Sequence, residues 1–511
     1  MREDRFKFLT SPTSSIAVPG LLIPPSLHNE GNYIISLSQL VRWLGERATE
    51  LGVEIYPGFP ASEVLIEDGR VVGVATRDMG VSKKGEPKDT FVRGMELRAK
   101  QTLFAEGARG SCSEKVMDRF KLRDAAADQQ SYGLGVKEVW EVPGTKPGLV
   151  QHTAGWPMDS HTYGGSFLYT MEPNLVLVGF VVGLDYANPA LSPYMELQRF
   201  KHHPAVAEHL KGGQCVAYGA RVLNEGGLQA LPKLTFPGGA LLGCSAGFLN
   251  VAAIKGSHMA IKSGIEAGAA VYDAVHSDAV EAVEYEKSMR ASWVFDELRR
   301  VRNVAPGFNY GVYAGMLIAG LVGHVTRGYE PFTLSKHAKG KRDTDATAKL
   351  KDAPAPIKYP KPDGVLSFDL LTNLQRSGTN HEEDQESHLR VKPEKADIAN
   401  GQSLRDWGGP EQHFCVRFVF RRVLADARPL AAGQGVRVRG RQAGHQRSKL
   451  PALQGVQHQD AGRVHRVDRA RGRRRAGVQC HVSARGVAML TARCCLLYTY
   501  IRCLETAQRV C

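Results

Sequence analysis

Apolar residues recur at helical spacing at Leu37, Leu40, Val41 and Leu44, and the pattern stops at Leu51-Gly52, which predicts a helix ending there. Val53 to Tyr56 reads as a short strand. VLIEDGRVVGVAT (64–76) places Asp68-Gly69 between two apolar runs. That dipeptide suits a tight turn with positive φ at both central residues, so the run predicts a β-hairpin. LRAKQTLFAEG (97–107) reads as a strand running into GARGS. Ala240–Leu242 is another apolar strand; Gly243 and Gly247 follow, and Asn250 to Gly256 lead into a long Ala/Gly-rich helix. Phe308–Val325 is apolar and glycine-rich, flanked by Arg299, Arg300, Arg302 and Arg327.

Two of these junctions carry chemistry. A strand ending in Glu106-Gly107, with Gly110 before a helix, leaves amides free at the helix start, which suits a phosphate or a flavin edge. The small residues from Gly243 to Gly256 let the backbone approach a flat ligand. The same pattern also serves a helix packed closely on a sheet. Phe308–Val325 is short for a span of roughly 20 residues and carries Asn309 and His324, so lying in a membrane interface fits better than crossing one. A buried core helix is the alternative. HEEDQESH (381–388) lacks regular ligand spacing and reads as a solvated loop.

At 511 residues the chain has room for two or three domains. Its net charge of +14 suggests an acidic partner until it is located. Residues 416–511 hold 20 Lys+Arg against 4 acids, whereas the rest holds 46 against 48. The body is therefore near neutral, and the excess belongs to the tail. Five of the nine cysteines also lie in the tail, leaving Cys112, Cys215, Cys244 and Cys415 in the body. Four scattered cysteines do not make a disulfide framework and point to a reducing compartment. The opening MREDRFKFLT shows no signal peptide.

Several long runs resemble the electron transfer flavoprotein–ubiquinone oxidoreductase family: Glu30–Ile34, KPGLVQHTAGWPMDSHTYGGSFLY (146–169), VVGLDYANPALSPYMELQRFKHHP (181–204), YGARVLNEGGLQALPKLTFPGG (218–239), GCSAGFLNV (243–251), YPKPDGVLSFDLLTNLQRSGTNHEEDQ (359–385) and GPEQHFC (409–415). The resemblance covers roughly residues 3–415. It implies an oxidoreductase that takes electrons from reduced electron transfer flavoprotein. FAD and a [4Fe-4S] cluster carry them to ubiquinone at the matrix face of the mitochondrial inner membrane, with no nucleic-acid partner. The implied fold is α/β: a FAD-binding Rossmann-like domain interleaved with a quinone-binding β/α domain, plus a ferredoxin-like cluster domain. Expected boundaries are 1–130 for a partial FAD domain, 131–235 for the ubiquinone-binding domain and 236–300 for the return to the FAD domain. Residues 301–330 form the membrane-contacting segment, 331–415 the remnant of the cluster region, and 416–511 a disordered basic tail. By match, Glu106, Gly107, Gly110, Gly243, Gly247, Asn250 and Gly256 belong to the FAD. Gly164 and Gly165 offer backbone N–H groups to the quinone head, Cys415 is a cluster ligand, and Phe308–Val325 contacts the membrane. No side chain acts as an acid–base catalyst; the cofactors carry the electrons. Ser36 departs from the family, which carries Arg there.

Two family features are missing. There is no G-x-G-x-x-G turn, which places the start of the chain downstream of that motif, and of a first membrane contact. There is also no C-x-x-C-x-x-C loop to wrap a cluster. KLPALQGVQ (449–457) admits codons that, shifted by one base, read Asn-Cys-Leu-His-Cys-Lys-Ala-Cys. GRRRAGVQCHVS (472–483) in the same frame reads Gly-Gly-Gly-Gly-Pro-Ala-Tyr-Ser-Val-Met and a stop. Both are family signatures, so the expectation is a frameshift just after Cys415. The competing readings are a FAD monooxygenase or geranylgeranyl-reductase-like enzyme without a cluster, and a non-catalytic protein with a basic interaction tail.

Overall fold

The computed structural model describes residues 1–337, 340–380, 382, 384–386 and 401–413. Its main feature is a seven-stranded sheet. In spatial order the strands are Gln214–Asn224, Tyr132–Glu141, Leu175–Gly183, Gly164–Met171, Leu149–Gly155, Glu3–Leu9 and Ser15–Ala17. Every neighbouring pair is antiparallel except Glu3–Leu9 with Leu149–Gly155. The middle strands are rich in Val and Phe. Their inward residues, among them Val136, Trp140, Val178 and Phe180, pack against Leu197, Phe200 and Val206.

A smaller sheet orders Thr235–Phe236, Gly239–Leu241 and Thr102–Phe104, the last two parallel. Its core joins Phe104, Phe236 and Leu241 to the helices Ser111–Arg119, Ser257–His276, Val283–Arg290 and Trp293–Val301. Alanines at 267, 270 and 274 line the buried side of Ser257–His276, which lets that helix lie close to the sheet.

The hairpin forms as expected, with strands Ala61–Glu67 and Arg70–Thr76 turning at Asp68 (φ 47°) and Gly69 (φ 74°). The helix spans Leu37–Glu50, and Gly52 follows it at φ 88°. Two expectations fail. Val53 to Tyr56 joins no ladder among the described residues, because no strand lies beside it. The single strand expected over 97–107 is two, Glu96–Arg98 and Thr102–Phe104, in different sheets. Ala99–Gln101 breaks the run and carries the chain from one sheet to the other.

Segment 364–376 is tied to the large sheet through Asn373, which donates to one partner of a buried ion pair. Glu138 and Lys201 are both fully buried, 2.7 Å apart. Glu138 also accepts from Trp140 Nε1 (2.9 Å), Gln198 Nε2 (3.0 Å) and Asn373 Nδ2 (2.7 Å). Burial pulls the Lys201 ammonium below its usual range, and Glu138 opposes that pull. A carboxylate so fully satisfied tolerates burial; stranded, it does not. Lys201→Met is therefore expected to cost about 3–5 kcal/mol. The chemical denaturation midpoint measures it, and an unchanged midpoint would show that the pair is dispensable.

Candidate functional site

The Thr102–Phe104 strand ends at Glu106, whose carboxylate folds back onto the next helix. Its oxygens accept from Ser113 N (2.5 Å), Ser113 Oγ (2.6 Å) and Cys112 N (3.3 Å). Negative charge at a helix start is favourable, so Glu106 anchors Ser111–Arg119. Gly110 makes this possible: a Cβ there would lie 2.1 Å from Glu106 Cβ. Gly107 sits at φ 86°, with open space where a side chain would go.

The second glycine-rich turn docks on the first. Glu106 N–H donates to Ser245 Oγ (2.9 Å), and the Ser245 hydroxyl donates to the Gly107 carbonyl (3.1 Å). Gly243 N–H is taken by Ser263 Oγ at 2.9 Å. Gly247 lies at φ 94°, and a Cβ there would lie 2.8 Å from Gln130 Nε2. Ala108, Ser245 and Ala246 of these turns line an open cleft together with Gln130, Tyr132 and Asn224. Asn224 is buried, and its side-chain oxygen has no hydrogen-bond partner among the described residues. Burial pushes the Tyr132 hydroxyl up, so it stays protonated. What the cleft offers a flavin edge is backbone beside the open Gly107 turn and the orphaned amide oxygen of Asn224.

None of the seven expected FAD residues is itself in the cleft lining: Ala108, Ser245 and Ala246 line it beside Gly107 and Gly247, and Asn250 and Gly256 lie further along the chain. Asn250 Nδ2 donates to Glu297 (2.6 Å), and its oxygen accepts from Ala253 N (3.0 Å). Burial pushes the Glu297 carboxyl up, but hydrogen bonds from His258 and Asn250 outweigh it and hold the group below its usual range. Gly256 caps the Ser257–His276 helix, where a Cβ would meet Leu249 at 3.3 Å. Ser36 caps the Leu37–Glu50 helix without a side-chain bond.

Gly164 and Gly165 open a strand of the large sheet. They pair with Val182 and Val181. The ladder on their other side ends at Thr153↔Ser166, leaving them paired along one edge. A Cβ at Gly164 would lie 2.5 Å from the Val181 carbonyl oxygen, so glycine is required by close approach. The preceding loop packs on the apolar segment: the Tyr163 ring meets Phe308 at 5.1 Å, and Val312 N–H donates to Ser160 O at 2.7 Å. That segment forms a helix over Val312–Gly320 and a wider turn over Leu321–Thr326. Leu317 is 76% exposed and Val325 71%. Pro24 packs at Gly323, which brings the turn Gly20–Leu22 alongside with Leu21 and Leu22 exposed. No helix among the described residues is long and apolar enough to cross a membrane.

Cys112, Cys215 and Cys244 are free thiols. Burial pushes all three up, Cys215 to about 12. No cluster of metal-ligating side chains occurs among the described residues. Cys415 and the basic tail lie outside the described residues. HEEDQESH lies partly outside them as well; within it, Glu382 pairs with Lys88, Glu386 with Arg77, and Asp384 accepts from Lys83 N.

The fold and cleft define a FAD-type α/β flavoprotein with an interleaved antiparallel sheet. Three family models match: "FAD binding domain" over residues 21–145, "ETF-QO, ubiquinone-binding" over 132–223, and "Electron transfer flavoprotein-ubiquinone oxidoreductase, 4Fe-4S" over 364–432. The mitochondrial electron transfer flavoprotein-ubiquinone oxidoreductase of Mus musculus is 51% identical over 451 residues, 85% of this chain and 71% of that protein. The Arabidopsis thaliana relative is 50% identical over 421 residues, 82% and 64%. The chain belongs to the electron transfer flavoprotein–ubiquinone oxidoreductase family. A geranylgeranyl bacteriochlorophyll reductase-like structure from Thermoplasma acidophilum aligns with a TM-score of 0.44 at 15% identity, covering 67% of this chain and 79% of that one. The 4Fe-4S match runs past Cys415, where the resemblance was expected to end, yet Cys415 is the only cysteine in the matched span.

The roles of Gly110 and Gly107 separate cleanly. Gly110→Ala is expected to cost about 1–3 kcal/mol through overpacking against Glu106. Gly107→Ala meets only backbone strain, about 1–2 kcal/mol. Urea midpoints of the two variants test this; equal losses with no sign of a displaced helix would refute the steric role of Gly110.

Proposed function

We propose that this chain is an electron-transferring-flavoprotein dehydrogenase. It takes electrons from reduced electron transfer flavoprotein and passes them to ubiquinone at the matrix face of the mitochondrial inner membrane, as a member of the respiratory chain. One observation supports this reading beyond family membership: the Gly164-Gly165 strand start packs through its own loop against the exposed apolar segment. A quinone with an apolar tail needs such an entrance. Bound FAD supplies the exchange between two-electron and one-electron chemistry. Gly107 and Gly247 open the backbone for its ring; Gly243, Gly110 and Glu106 hold those turns in place; Asn250 and Gly256 shape the loop behind them. Gly164 and Gly165 present backbone, unobstructed by side chains, to the quinone head.

The membrane contact is Phe308–Val325 together with Ile16, Leu21 and Leu22. Interfacial burial of exposed apolar side chains drives such attachment. The described residues do not supply a cluster ligand set, so no step is drawn through the cluster.

The experiment uses liposomes containing ubiquinone and reduced electron transfer flavoprotein as donor. Flavin absorbance and quinone loss are expected in the presence of the chain. Leu317→Glu with Leu321→Glu is expected to lower liposome partitioning at least about tenfold, since burying two charges in hydrocarbon costs several kcal/mol. Absence of bound flavin, or of donor oxidation, would overturn the reading.

A one-base frame change beyond Cys415 is also proposed, on the ground that Cys415 is the only cysteine in the span matched to the 4Fe-4S domain. Sequencing the transcript through the codon for Ser483 is expected to restore Asn-Cys-Leu-His-Cys-Lys-Ala-Cys. An unshifted frame sinks that idea.

A further inference from the structure

Most buried acids in this chain are matched by donors. Glu138 is surrounded by them, and Asp128 accepts from Ser335 Oγ and Lys336 N at 2.8 and 2.9 Å. Asp343 accepts from Ser131 Oγ, Tyr132 N and His337. Glu225 differs. It is 2% exposed, and its Oε2 has no hydrogen-bond partner among the described residues.

The backbone makes room for this carboxyl. Gly133 and Gly183 face each other across two strands. A Cβ at Gly133 would lie 2.2 Å from Glu225 Oε1, and one at Gly183 would lie 3.3 Å from Oε2. Gly183 N–H donates to the Tyr163 carbonyl at 2.9 Å. The two residues before Gly183, Val182 and Val181, pair with Gly164 and Gly165. Glu225 also lines a hollow whose walls include Leu249, Val251, Ala305 and Pro306, the last two at the entry to the apolar segment. Its chain neighbour Asn224 lines the cleft beside the two glycine-rich turns. The carboxyl therefore sits between the two candidate sites.

We propose that Glu225 holds and delivers a proton for quinone reduction. The proposal rests on the function proposed above. Ubiquinone takes two electrons and two protons to become ubiquinol, and the reduced flavoprotein donor supplies the electrons. The Glu225 O–H bond breaks as an O–H bond forms at a quinone oxygen. The carboxylate left behind regains a proton from solvent, and the second proton comes from solvent directly. An ordinary carboxyl, ionised at neutral pH, has no proton to give.

The surroundings keep it neutral. Burial pushes the Glu225 carboxyl up to about 8; Lys336 opposes this, while Asp185 and Asp343 add to it. Lys336 is committed to Asp185 at 2.7 Å. Arg302, on the wall of the same hollow, donates to the carbonyls of Arg299, Gly328, Glu330 and Phe332. Burial likewise pushes the Tyr163 hydroxyl up, so it stays neutral beside the carboxyl. The donor form is present below the raised value and lost above it, so proton delivery fails as pH rises through about 8.

The test pairs infrared titration with turnover. In the purified full chain, a carboxylic C=O band is expected at neutral pH, to fade as pH passes about 8 and to be missing in Glu225→Gln. In the liposome assay, ferricyanide takes an electron without a proton and reports electron input. Glu225→Gln is expected to lower the ratio of quinone to ferricyanide turnover about a hundredfold. The alkaline fall of the wild-type quinone rate should vanish in the variant, and Glu225→Asp should restore part of the ratio. A merely structural residue would depress both acceptors together, which would overturn the proposal, as would an ionised Glu225 at neutral pH or an unchanged ratio. A wild-type chain that passes electrons to neither acceptor overturns the functional reading, and this proposal with it.

Discussion

The hydroxyl of Ser245 joins two turns 139 residues apart in the chain, accepting from Glu106 N–H and donating to the Gly107 carbonyl. The cleft exists because of this contact. Each turn alone is a strand end followed by a helix, which any α/β fold contains. Held edge to edge by one hydroxyl, they bring Ala108, Ser245 and Ala246 to one cleft. The long insertion between them supplies five of the seven strands of the large sheet, so the quinone end is positioned by the same clasp. A hydroxyl suits this task because it both donates and accepts.

The strap that follows the apolar segment closes the arrangement. Asp128 and Asp343 bind its two ends to the first residues of the Tyr132–Glu141 strand, through Lys336 N, Ser335, Ser131 and Tyr132 N. These bonds hold the apolar segment against the loop that carries Tyr163. An exposed apolar surface is unfavourable in water, and the contacts that keep it in place are polar and buried behind it.

Local rules made part of this legible. The Asp68-Gly69 hairpin and the helix stop at Gly52 follow from turn geometry that a few residues determine. Val53–Tyr56 failed because a strand needs a neighbour, and β-propensity reports a fit to such a surface, not a preference of the chain itself. The 97–107 strand failed because the break at Ala99–Gln101 depends on which sheet each half joins. The left-handed turns at Gly107, Gly243 and Gly247 follow from glycine in strand-to-helix junctions. The internal duties of Asn250 and Glu106 were not, since Glu297 and Ser113 reach them only through tertiary packing. Leu21 and Leu22 were missed as surface because two leucines between prolines look like any core turn.

Glu225 was also invisible, and the reason bears on what it does. In VLNEGG it is one acid among many, and only burial distinguishes it. Glu138 shows what this fold does with a carboxylate it needs for structure: it supplies Lys201, Trp140, Gln198 and Asn373. Had Glu225 the same purpose, the glycines at 133 and 183 would have been free to carry donors or apolar filling. Instead they hold space open for an oxygen left without a partner. Such a group destabilises the fold unless it keeps its proton, and a carboxyl that keeps its proton at neutral pH is one that can give it away.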